Sequence, residues 1–371
     1  MLIGVVGGGQ LGRMLALAGI PLGMRFRFFD VTPDAPARHV GELVVGDFSD
    51  PAAGDRFAFG HDDPLDAITF EFENVPVSVA HRLAAARPTF PPPRALAVGQ
   101  DRAQEKALFS RIGLEVPAYR VVFTHAEFAD AVASLGPPLV AKTCRMGYDG
   151  KGQAVIRAEA DTGRAWHVLQ GAAPLGIIVE RMVPFDAEVS VIACRARDGA
   201  TACYPLIENV HRQGILRVSR VPSRWSVLQA AAEHAASRIL DELDYVGVLT
   251  IEFFVVQGRL LANEMAPRVH NSGHWTIEGA ATSQFANHVR AVAGLPLGPC
   301  HALGPCAMVN IIGRSPPLAA LLSVPGASVH LYDKAPRPGR KLGHVTLRAH
   351  SPTELDATLA HAAALCDEAT E

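Results

Sequence analysis

Over the first part of the chain, short apolar runs alternate with segments whose apolar residues recur at helical spacing. Residues 2–6 are apolar throughout, as in a buried strand, and apolar positions then recur at helical intervals as far as Ala18. Further strands are predicted at Arg25–Phe29 and at 66–75, and the second of these ends in acids that include Glu73. This alternation predicts a Rossmann-like α/β unit, in which the carboxyl ends of the strands line a ligand crevice.

The pattern divides the chain into three units. Pro91–Pro93 punctuates the end of the first unit, and one long helix is predicted over Arg94–Ile112. Strands follow at Leu139–Lys142 and Gln153–Ile156, and then a strand, a kink and a second strand cover Gly176–Ile192. We therefore expect an N-terminal Rossmann-like domain, a small central lid with its linker helix, and a C-terminal α+β domain, with limits at 1–98, 99–178 and 179–371.

Two carboxylates are predicted to face each other on a hairpin of the C-terminal unit. The residues on either side of Gln257–Gly258 have the composition of strands. A two-residue turn would place Glu252 opposite Asn263, whereas a connection one residue longer would pair Glu252 with Glu264. We predict the second register. Adjacent carboxylates repel unless a cation lies between them, and oxygen ligands favour Mg²⁺. The alternative is an exposed hairpin edge with unrelated acids.

Composition and charge exclude several classes of function. The 371 residues suffice for two or three domains, and 49% hydrophobic with 19% charged residues is usual for a globular protein. A net charge of −3 gives no reason to expect a nucleic-acid partner. Six cysteines without Cys-x-x-Cys spacing predict reduced thiols. Because no apolar run reaches about 18 residues and no leader is evident, we expect a cytoplasmic protein without a membrane partner.

Two loops combine glycines with cations, as anion sites require. Residues 143–152 follow Lys142 at the end of a strand, so that backbone N–H groups could close over phosphate oxygens beside its charge. The alternative is a flexible hairpin loop. Arg337–Lys341 carries three cations in five residues around a glycine, which indicates an anion-binding turn or, as the alternative, a solvated loop.

The glycine turn after the first strand has two interpretations. Gly7, Gly9 and Gly12 match the dinucleotide pattern G-x-G-x-x-G, and Asp30 ends the next strand where a ribose-binding acid is expected. Such a turn also serves substrate domains that bind no dinucleotide. This segment alone leaves an NAD-dependent oxidoreductase and a substrate-binding unit equally open.

In order and spacing, Lys142, the glycine loop, Glu180–Val183, Glu188 and the acidic hairpin resemble the ATP-grasp ligases, in which ATP lies between two antiparallel sheets. More narrowly, the chain resembles the N5-carboxyaminoimidazole ribonucleotide synthetase family of bacterial purine biosynthesis. The segments that carry this resemblance are Gly9–Met14, Phe72–Val75, Gln100–Arg102, Tyr148–Gly152, Glu208–His211, Asn263–Thr276 and Arg340–His344. One departure is Asp333, where glycine is expected.

The resemblance implies ATP- and bicarbonate-dependent carboxylation of 5-aminoimidazole ribonucleotide through carboxyphosphate, with Mg²⁺ as cofactor and a homodimeric assembly. The nucleotide contacts that it implies are Arg102, Lys142, Gly147, Tyr148, Asp149, Gly150, Lys151, Gly152, Gln153, Glu180, Arg181, Met182, Val183, Glu188, His211, Asn263 and Glu264. The implied metal ligands are Glu252 and Glu264, and the implied catalytic residues are Arg268, His270 and Lys341. The implied contacts of the aminoimidazole ribonucleotide are Gln10, Leu11, Glu73, Tyr148, Lys151, Arg340 and Lys341.

Two rival functions follow from parts of the same pattern. A formate-dependent phosphoribosylglycinamide formyltransferase-type ligase would share the nucleotide site and bind a different amine and acid. An NAD-dependent oxidoreductase would rest on the glycine turn and Asp30, and would leave the paired acids Glu252 and Glu264 without a role.

Overall fold

A parallel sheet forms the N-terminal unit of the computed structural model, which describes residues 1–147 and 152–368. Its strands lie in the order β3-β2-β1-β4, and the strands and accompanying helices are β1 (Leu2–Val6), α1 (Gln10–Gly19), β2 (Arg25–Asp30), β3 (Glu42–Val45), α2 (Pro51–Phe59), β4 (Ala67–Phe70) and α3 (Val77–Ala86). Glycine at position 7, with φ of 100°, ends β1 and turns the chain into α1. The predicted Rossmann-like arrangement is confirmed.

The linker is two helices instead of the single helix predicted over Arg94–Ile112. Helix α4 spans Pro93–Gly99 and α5 spans Arg102–Arg111. The Asp101 carboxylate accepts the Ala103 N–H at 3.0 Å and caps α5, which separates it from α4. The Gln100 amide donates to the carbonyls of Glu73 and Val75 at 2.6 and 2.5 Å. Gln100, which lies between α4 and α5, therefore connects the linker to the residues that follow β4 of the first unit.

The central unit is an antiparallel sheet in the order β5-β8-β6-β7, and its elements are β5 (Tyr119–Val122), α6 (His125–Leu135), β6 (Leu139–Thr143), β7 (Gln153–Ile156), α7 (Thr162–Leu169) and β8 (Ile177–Arg181). Strand β8 pairs with both β5 and β6 and runs to Arg181, past the limit predicted at residue 178. Phe128, Leu139 and Val179 pack in the core of this unit.

A large antiparallel sheet in the order β14-β13-β9-β11-β12-β15-β17-β16, with β10 beside β9, forms the third unit. Its elements are β9 (Ala187–Arg195), β10 (Thr201–Cys203), β11 (Ile207–Arg212), β12 (Ile215–Val221), α8 (Gln229–Glu242), β13 (Gly247–Val256), β14 (Arg259–Ala266), α9 (Thr276–Gly279), α10 (Gln284–Ala293), β15 (Cys306–Ile312), α11 (Leu318–Leu322), β16 (Ala327–Leu331), β17 (Lys341–Arg348) and α12 (Pro352–Glu368). A continuous apolar core joins this sheet to the first unit, with Met14 and Phe28 in the same cluster as Phe285 and Val289.

The β13–β14 hairpin has the predicted register, but a different structural feature produces it. Glu252 pairs with Glu264, although Gln257 and Gly258 form a two-residue turn with φ of 50° and 72°. A bulge restores the pairing, because Phe253 pairs with Ala262 and leaves one extra residue in β14. The expected longer connection is wrong: the shift is made within the strand.

In the part of the chain that the structure describes, no helix combines the length and the apolar character that crossing a bilayer would require.

Candidate active site

The three units enclose a cleft of about 640 Å³, and most of the residues singled out in the sequence line it. Those that line the cleft are Gln10, Leu11, Glu73, Arg102, Lys142, Gly147, Gln153, Glu188, His211, Glu252, Asn263, Glu264, Arg268, His270 and Lys341. Tyr148, Asp149, Gly150 and Lys151 lie outside the described residues. Strands from two sheets and the linker helix α5 contribute to the walls, as expected for a ligand held between sheets.

Other predicted contacts lie beside or behind the cleft wall. Arg181, Met182 and Val183 line a separate, mainly apolar concavity together with Leu135–Pro138. The Met182 N–H already donates to the Pro138 carbonyl at 3.0 Å, whereas no acceptor takes the Val183 N–H within the described residues. Gly152 is bonded through its carbonyl to the Thr143 N–H at 2.9 Å. Backbone groups, not side chains, are therefore what 181–183 could offer to a base.

A buried ion triad lies on the side of the cleft that β6 and α5 form. Glu180, only 3% exposed, lies 2.6 Å from the Lys142 Nζ and 3.1 Å from the Lys106 Nζ. Burial opposes ionisation of Glu180, but the two ammonium groups hold its pKa at about 2. Lys106, 2% exposed, also donates to the Asn263 carbonyl at 2.7 Å and so joins the triad to β14.

Sequence reasoning missed Lys106. It follows Arg102 by one helical turn on α5, so that both cations lie on the same helix face. The four-residue spacing between Arg102 and Lys106 was the feature of the sequence that could have predicted this role for Lys106. Burial lowers the pKa of Lys106 against the opposing effect of Glu180.

On the adjoining part of the large sheet, Glu188 of β9 and His211 of β11 form a pair. The His211 Nδ1 lies 2.7 Å from the Glu188 Oε2, because these residues lie on neighbouring antiparallel strands. Burial opposes protonation of His211, but the Glu188 carboxylate raises its pKa. The Glu188 carboxylate is an acceptor of the kind that ribose hydroxyls require.

The acidic pair lies on the cleft floor. Burial and the neighbouring Glu264 raise the pKa of Glu252 to about 7. Burial opposes ionisation of Glu264 too. The Arg102 Nη1 lies 2.9 Å from the Glu264 Oε2, however, and this cation keeps the pKa of Glu264 below the usual range. A cation between the two carboxylates would relieve their repulsion, so this pair fits Mg²⁺. Among the described residues no group of three or more His, Cys, Asp or Glu could hold a metal, so phosphate and water would supply the other ligands.

Arg268, implied as a catalytic residue, and Glu73, implied as a contact of the ribonucleotide, form a forked pair across the cleft. The Arg268 Nη2 donates to the Glu73 Oε1 at 3.1 Å, and its Nε donates to Oε2. Burial opposes ionisation on both sides, yet the pairing lowers the pKa of Glu73 and raises that of Arg268. Burial, followed by the charge of Arg268, holds the pKa of His270 well below its ordinary value, so the imidazole is neutral.

The glycine turn has no room for a dinucleotide. The Glu71 carboxylate accepts the N–H groups of Gly9 and Gly12, each at 2.6 Å, and the Asp30 carboxylate accepts the Gly8 N–H at 2.6 Å. These are the donors that a pyrophosphate would need. The NAD interpretation is therefore wrong. Glu71, which sequence reasoning did not assign, holds the N-terminus of α1 so that Gln10 and Leu11 reach the cleft.

The cationic loop at 334–341 closes the cleft against α1. Lys334 donates to the Gln10 side-chain oxygen, and the Arg340 Nη1 donates to the Ala335 carbonyl at 3.1 Å. Burial and the cations Arg340 and Lys341 lower the pKa of Lys334 to about 8 despite nearby Glu71, as expected where positive charge gathers around an anion site. Lys334 was not predicted. Asp333, where glycine was expected, adopts φ of 54°, which explains that expectation.

Three family models together match most of the chain. Residues 1–100 match the ribonucleotide synthetase preATP-grasp domain, and residues 107–285 match the ATP-grasp domain. Residues 306–358 match the phosphoribosylaminoimidazole carboxylase C-terminal domain. The predicted fold class is confirmed in all three parts.

Relatives align with this chain over nearly its whole length. The N5-carboxyaminoimidazole ribonucleotide synthase of Pseudomonas aeruginosa is 50% identical over 367 residues, which are 99% of this chain and 100% of that protein. The crystal structure of the Thermus thermophilus synthetase is 52% identical with a TM-score of 0.92 and covers 98% of both chains. The Aspergillus clavatus enzyme, solved with ADP and 5-aminoimidazole ribonucleotide, is 29% identical with a TM-score of 0.88 and covers 97% of this chain and 98% of its own. The chain therefore belongs to the N5-carboxyaminoimidazole ribonucleotide synthase family of ATP-grasp ligases.

Proposed function

We propose that this chain catalyses the reaction for which its family is named. ATP and bicarbonate carboxylate the amine of 5-aminoimidazole ribonucleotide and give N5-carboxyaminoimidazole ribonucleotide, ADP and phosphate. The observation that carries the proposal is the single cleft in which cations for a nucleotide, a carboxylate pair and the Arg268–His270 segment adjoin the strand ends of the first unit. The formate-using alternative has no comparable support, because relatives that align over nearly the whole chain carry the carboxylase name.

ATP would lie between β6–β7 of the central sheet and the large sheet. Val140, Val155 and Phe254 give the cleft apolar walls at this end, suited to adenine. The resemblance adds the backbone of 181–183, of which the Val183 N–H has no acceptor among the described residues. Glu188 would accept the ribose hydroxyls. Arg102 and Lys142 would meet the phosphates, and each is held by a carboxylate until the nucleotide arrives.

Glu252 and Glu264 would hold Mg²⁺. Bound there, the ion would neutralise charge on the phosphate oxygens during phosphoryl transfer. Asn263, displaced by the bulge between the paired positions, presents its side chain to the same part of the cleft. The bulge thus adds a polar contact without separating the two acids.

In the first step a bicarbonate oxygen attacks the γ-phosphorus of ATP, the bond to the β,γ-bridging oxygen breaks, and carboxyphosphate and ADP form. Carboxyphosphate then loses phosphate to give CO₂, which the amine of the ribonucleotide attacks with loss of its proton to give the carbamate. Arg268, His270 and Lys341 would position the anionic oxygens. Glu73, Lys341 and Arg340 would hold the ribonucleotide, with the cations at its phosphate.

Three further properties belong to the proposal. The central unit would close over ATP, since a reactive carboxyphosphate must be kept from water. If Mg-nucleotide protects residues 144–152 from proteolysis, that protection would support closure of the central unit. Cys144, Cys194, Cys203, Cys300 and Cys306 form no disulfide among the described residues, which suits a reducing cytoplasm. A homodimer would be tested by light scattering on the purified protein.

The decisive experiment measures ADP release from Mg-ATP with each second substrate present or omitted. We expect release to require both 5-aminoimidazole ribonucleotide and bicarbonate. Release stimulated by the ribonucleotide alone would mean uncoupled hydrolysis and would contradict the carboxylation step. Glu264→Gln should abolish turnover and leave the circular dichroism spectrum unchanged, whereas turnover comparable to that of the parent protein would remove Glu264 from the metal site.

A further inference from the structure

A chain of buried hydrogen bonds runs through the large sheet to His270. Ser219 of β12 donates its hydroxyl to the Asn209 Oδ1 at 2.8 Å, and the Asn209 amide donates to the Ser190 Oγ at 2.9 Å. Ser190 and Ser272 hydroxyls are 2.9 Å apart, and the Ser272 Oγ is 2.9 Å from the His270 Nδ1. The three serines are 0% exposed and Asn209 is 5% exposed. We call these four residues the serine–asparagine relay.

The relay has a direction. Because the Ser190 Oγ accepts from the Asn209 amide, the Ser190 proton is available for Ser272. Ser272 then accepts from Ser190 and gives its own proton to the His270 Nδ1. The backbone N–H of Ser272 also points at this nitrogen, at 3.3 Å. This backbone contact is the longer of the two, so the Ser272 hydroxyl at 2.9 Å is the main donor to Nδ1. Nδ1 is therefore the acceptor, and the ring proton lies on Nε2.

The backbone of His270 is fixed as firmly as its ring. The Gln284 side-chain oxygen accepts the His270 N–H at 2.9 Å, and the Gln284 amide donates to the His270 carbonyl at 2.6 Å. With backbone and Nδ1 held, Nε2 faces the cleft and lies 3.4 Å from the Glu252 Oε1. A neutral imidazole in this tautomer offers a donor to the cleft and no acceptor.

We propose that Ser190, Asn209, Ser219 and Ser272 are positioning residues that hold His270 in the Nε2–H tautomer, so that it donates a hydrogen bond to an anionic oxygen of the carboxylate–phosphate intermediate. This inference rests on the proposed function for the identity of the anion, but not for the tautomer. His270 then stabilises developing negative charge and takes no proton from the amine. Fixing the tautomer through an outer hydrogen bond is how a neutral histidine is committed to one role.

The relay also accounts for polar residues in the middle of a sheet. Each hydroxyl and amide would be costly to bury without a partner, and here the donors and acceptors match in sequence. Burial in a low-dielectric sheet keeps water from offering alternative partners, so the direction persists. An apolar set of residues would fill the same space and leave only the longer Ser272 N–H contact to distinguish the two nitrogens.

The tautomer is measured directly by nitrogen NMR on protein labelled with ¹⁵N-histidine. His270→Phe assigns the signals, and one-bond and two-bond couplings show which nitrogen carries the proton. We expect the Nε2–H form in the substrate-free protein. An Nδ1–H form, or an imidazolium at neutral pH, would overturn the proposal whether or not the carboxylase reaction is confirmed.

Ser190→Ala tests the relay at a residue that does not touch His270. It frees the Ser272 hydroxyl to donate or accept, and only the longer Ser272 N–H contact still favours Nε2–H, so we expect a minor Nδ1–H form to appear in a mixture of tautomers. Ser223→Ala is the matched control, because Ser223 is also buried at 4% exposure but its hydroxyl accepts from the Trp225 N–H. A pure Nε2–H signal in Ser190→Ala, or an equal change in Ser223→Ala, would overturn the proposal. Ser272→Ala provides a second break in the relay if Ser190→Ala does not fold, and the same mixture is expected.

Kinetics give an independent readout. We expect Ser190→Ala to lower kcat by about tenfold to a hundredfold, a loss of the size seen for weakened oxyanion donors, with the KM for ATP unchanged. Ser223→Ala should keep the parent kcat. A fall in ATP affinity without a change in kcat would indicate a purely structural role and overturn the proposal. Absence of carboxylation in the parent protein, with the Nε2–H signal intact, would instead count against the proposed function alone.

Discussion

Arg268 shows at the scale of one residue why charge alone does not define this site. Its guanidinium engages both oxygens of Glu73. A lysine would keep the charge and lose the fork. We expect Arg268→Lys to lower kcat/KM by about a hundredfold through misplaced anionic substrate, measured as ADP release dependent on bicarbonate and the ribonucleotide. Arg220→Lys, at a surface pair with Asp356, is the control and should have no effect. Equal activity of Arg268→Lys and the parent would show that the fork is dispensable.

A substitution at Lys106 tests how much the buried ion triad contributes to stability. Lys106→Met keeps the length of the side chain but leaves Glu180 buried with one cation in place of two. We expect the free energy of unfolding to fall by about 2 kcal/mol, measured by urea denaturation. Adding Glu180→Gln should lower the free energy of unfolding further, because it removes the carboxylate that Lys142 contacts at 2.6 Å. A double variant as stable as Lys106→Met would contradict this account of the triad.

The sequence predicted much of the cleft, and the misses share a cause. Lys142 and Glu252 were predicted from residue types and spacing, Arg102 and Glu188 were implied by the family resemblance, and all four line the cleft. Lys106, Glu71 and Lys334 act on other protein groups: on Glu180, on the N-terminus of α1 and on Gln10. Their partners are distant in the chain, so the contacts depend on tertiary structure that a linear pattern does not contain. The pairing of Arg268 with Glu73 was missed for the same reason.

At the scale of elements, substitutions at two neighbouring positions of the β13–β14 turn should change the free energy of unfolding in opposite directions. Gln257 adopts φ of 50°, which is unfavourable for a residue with a long side chain, and Gly258 adopts φ of 72°. Gln257→Asn should raise the free energy of unfolding by about 0.5 kcal/mol, and Gly258→Ala should lower it by about 1 kcal/mol. A Cβ at Gly258 would meet no atom within 4 Å, so this loss is purely conformational.

Thermal unfolding of both variants, with ATP turnover as the control, tests the hairpin. Neither position lines the cleft, so turnover should match the parent protein. Stabilisation by Gly258→Ala would mean that the turn is not the two-residue type described. The element pattern was itself largely predictable, since strands β1, β2 and β7 lie where the sequence predicted strands. The break between α4 and α5 was not, because an N-cap at Asp101 interrupts an otherwise helical composition.

At the scale of the whole molecule, one buried histidine ties the first unit to the large sheet. The His288 Nδ1 accepts the Val248 N–H at 3.0 Å, so its Nε2–H donates to the Thr69 Oγ1, 2.7 Å away on β4. Both nitrogens are therefore used, and the ring is neutral. Burial lowers the pKa of His288 from 6.5 to about 4. Docking of the two units thus depends on a ring that acid would charge.

The pH dependence of stability follows from that depressed pKa. The neutral ring stabilises the fold fully above pH 6.5, and this contribution is lost as the pH falls towards 4. His288→Asn keeps an acceptor for Val248 but does not titrate. It should be less stable than the parent by about 2 kcal/mol near neutral pH, and the gap should narrow by about 2 kcal/mol on going to about pH 5. Denaturant unfolding at several pH values measures both quantities.

Thr69→Val separates loss of the contact from loss of the titration. It removes the Nε2–H acceptor but leaves a ring that can still be charged, so its free energy of unfolding should fall with acid as steeply as that of the parent. Other buried histidines with depressed pKa values, such as His274, titrate in all three proteins and cancel in the differences. If His288→Asn loses stability in acid as steeply as the parent, the acid sensitivity of domain docking arises elsewhere than at His288.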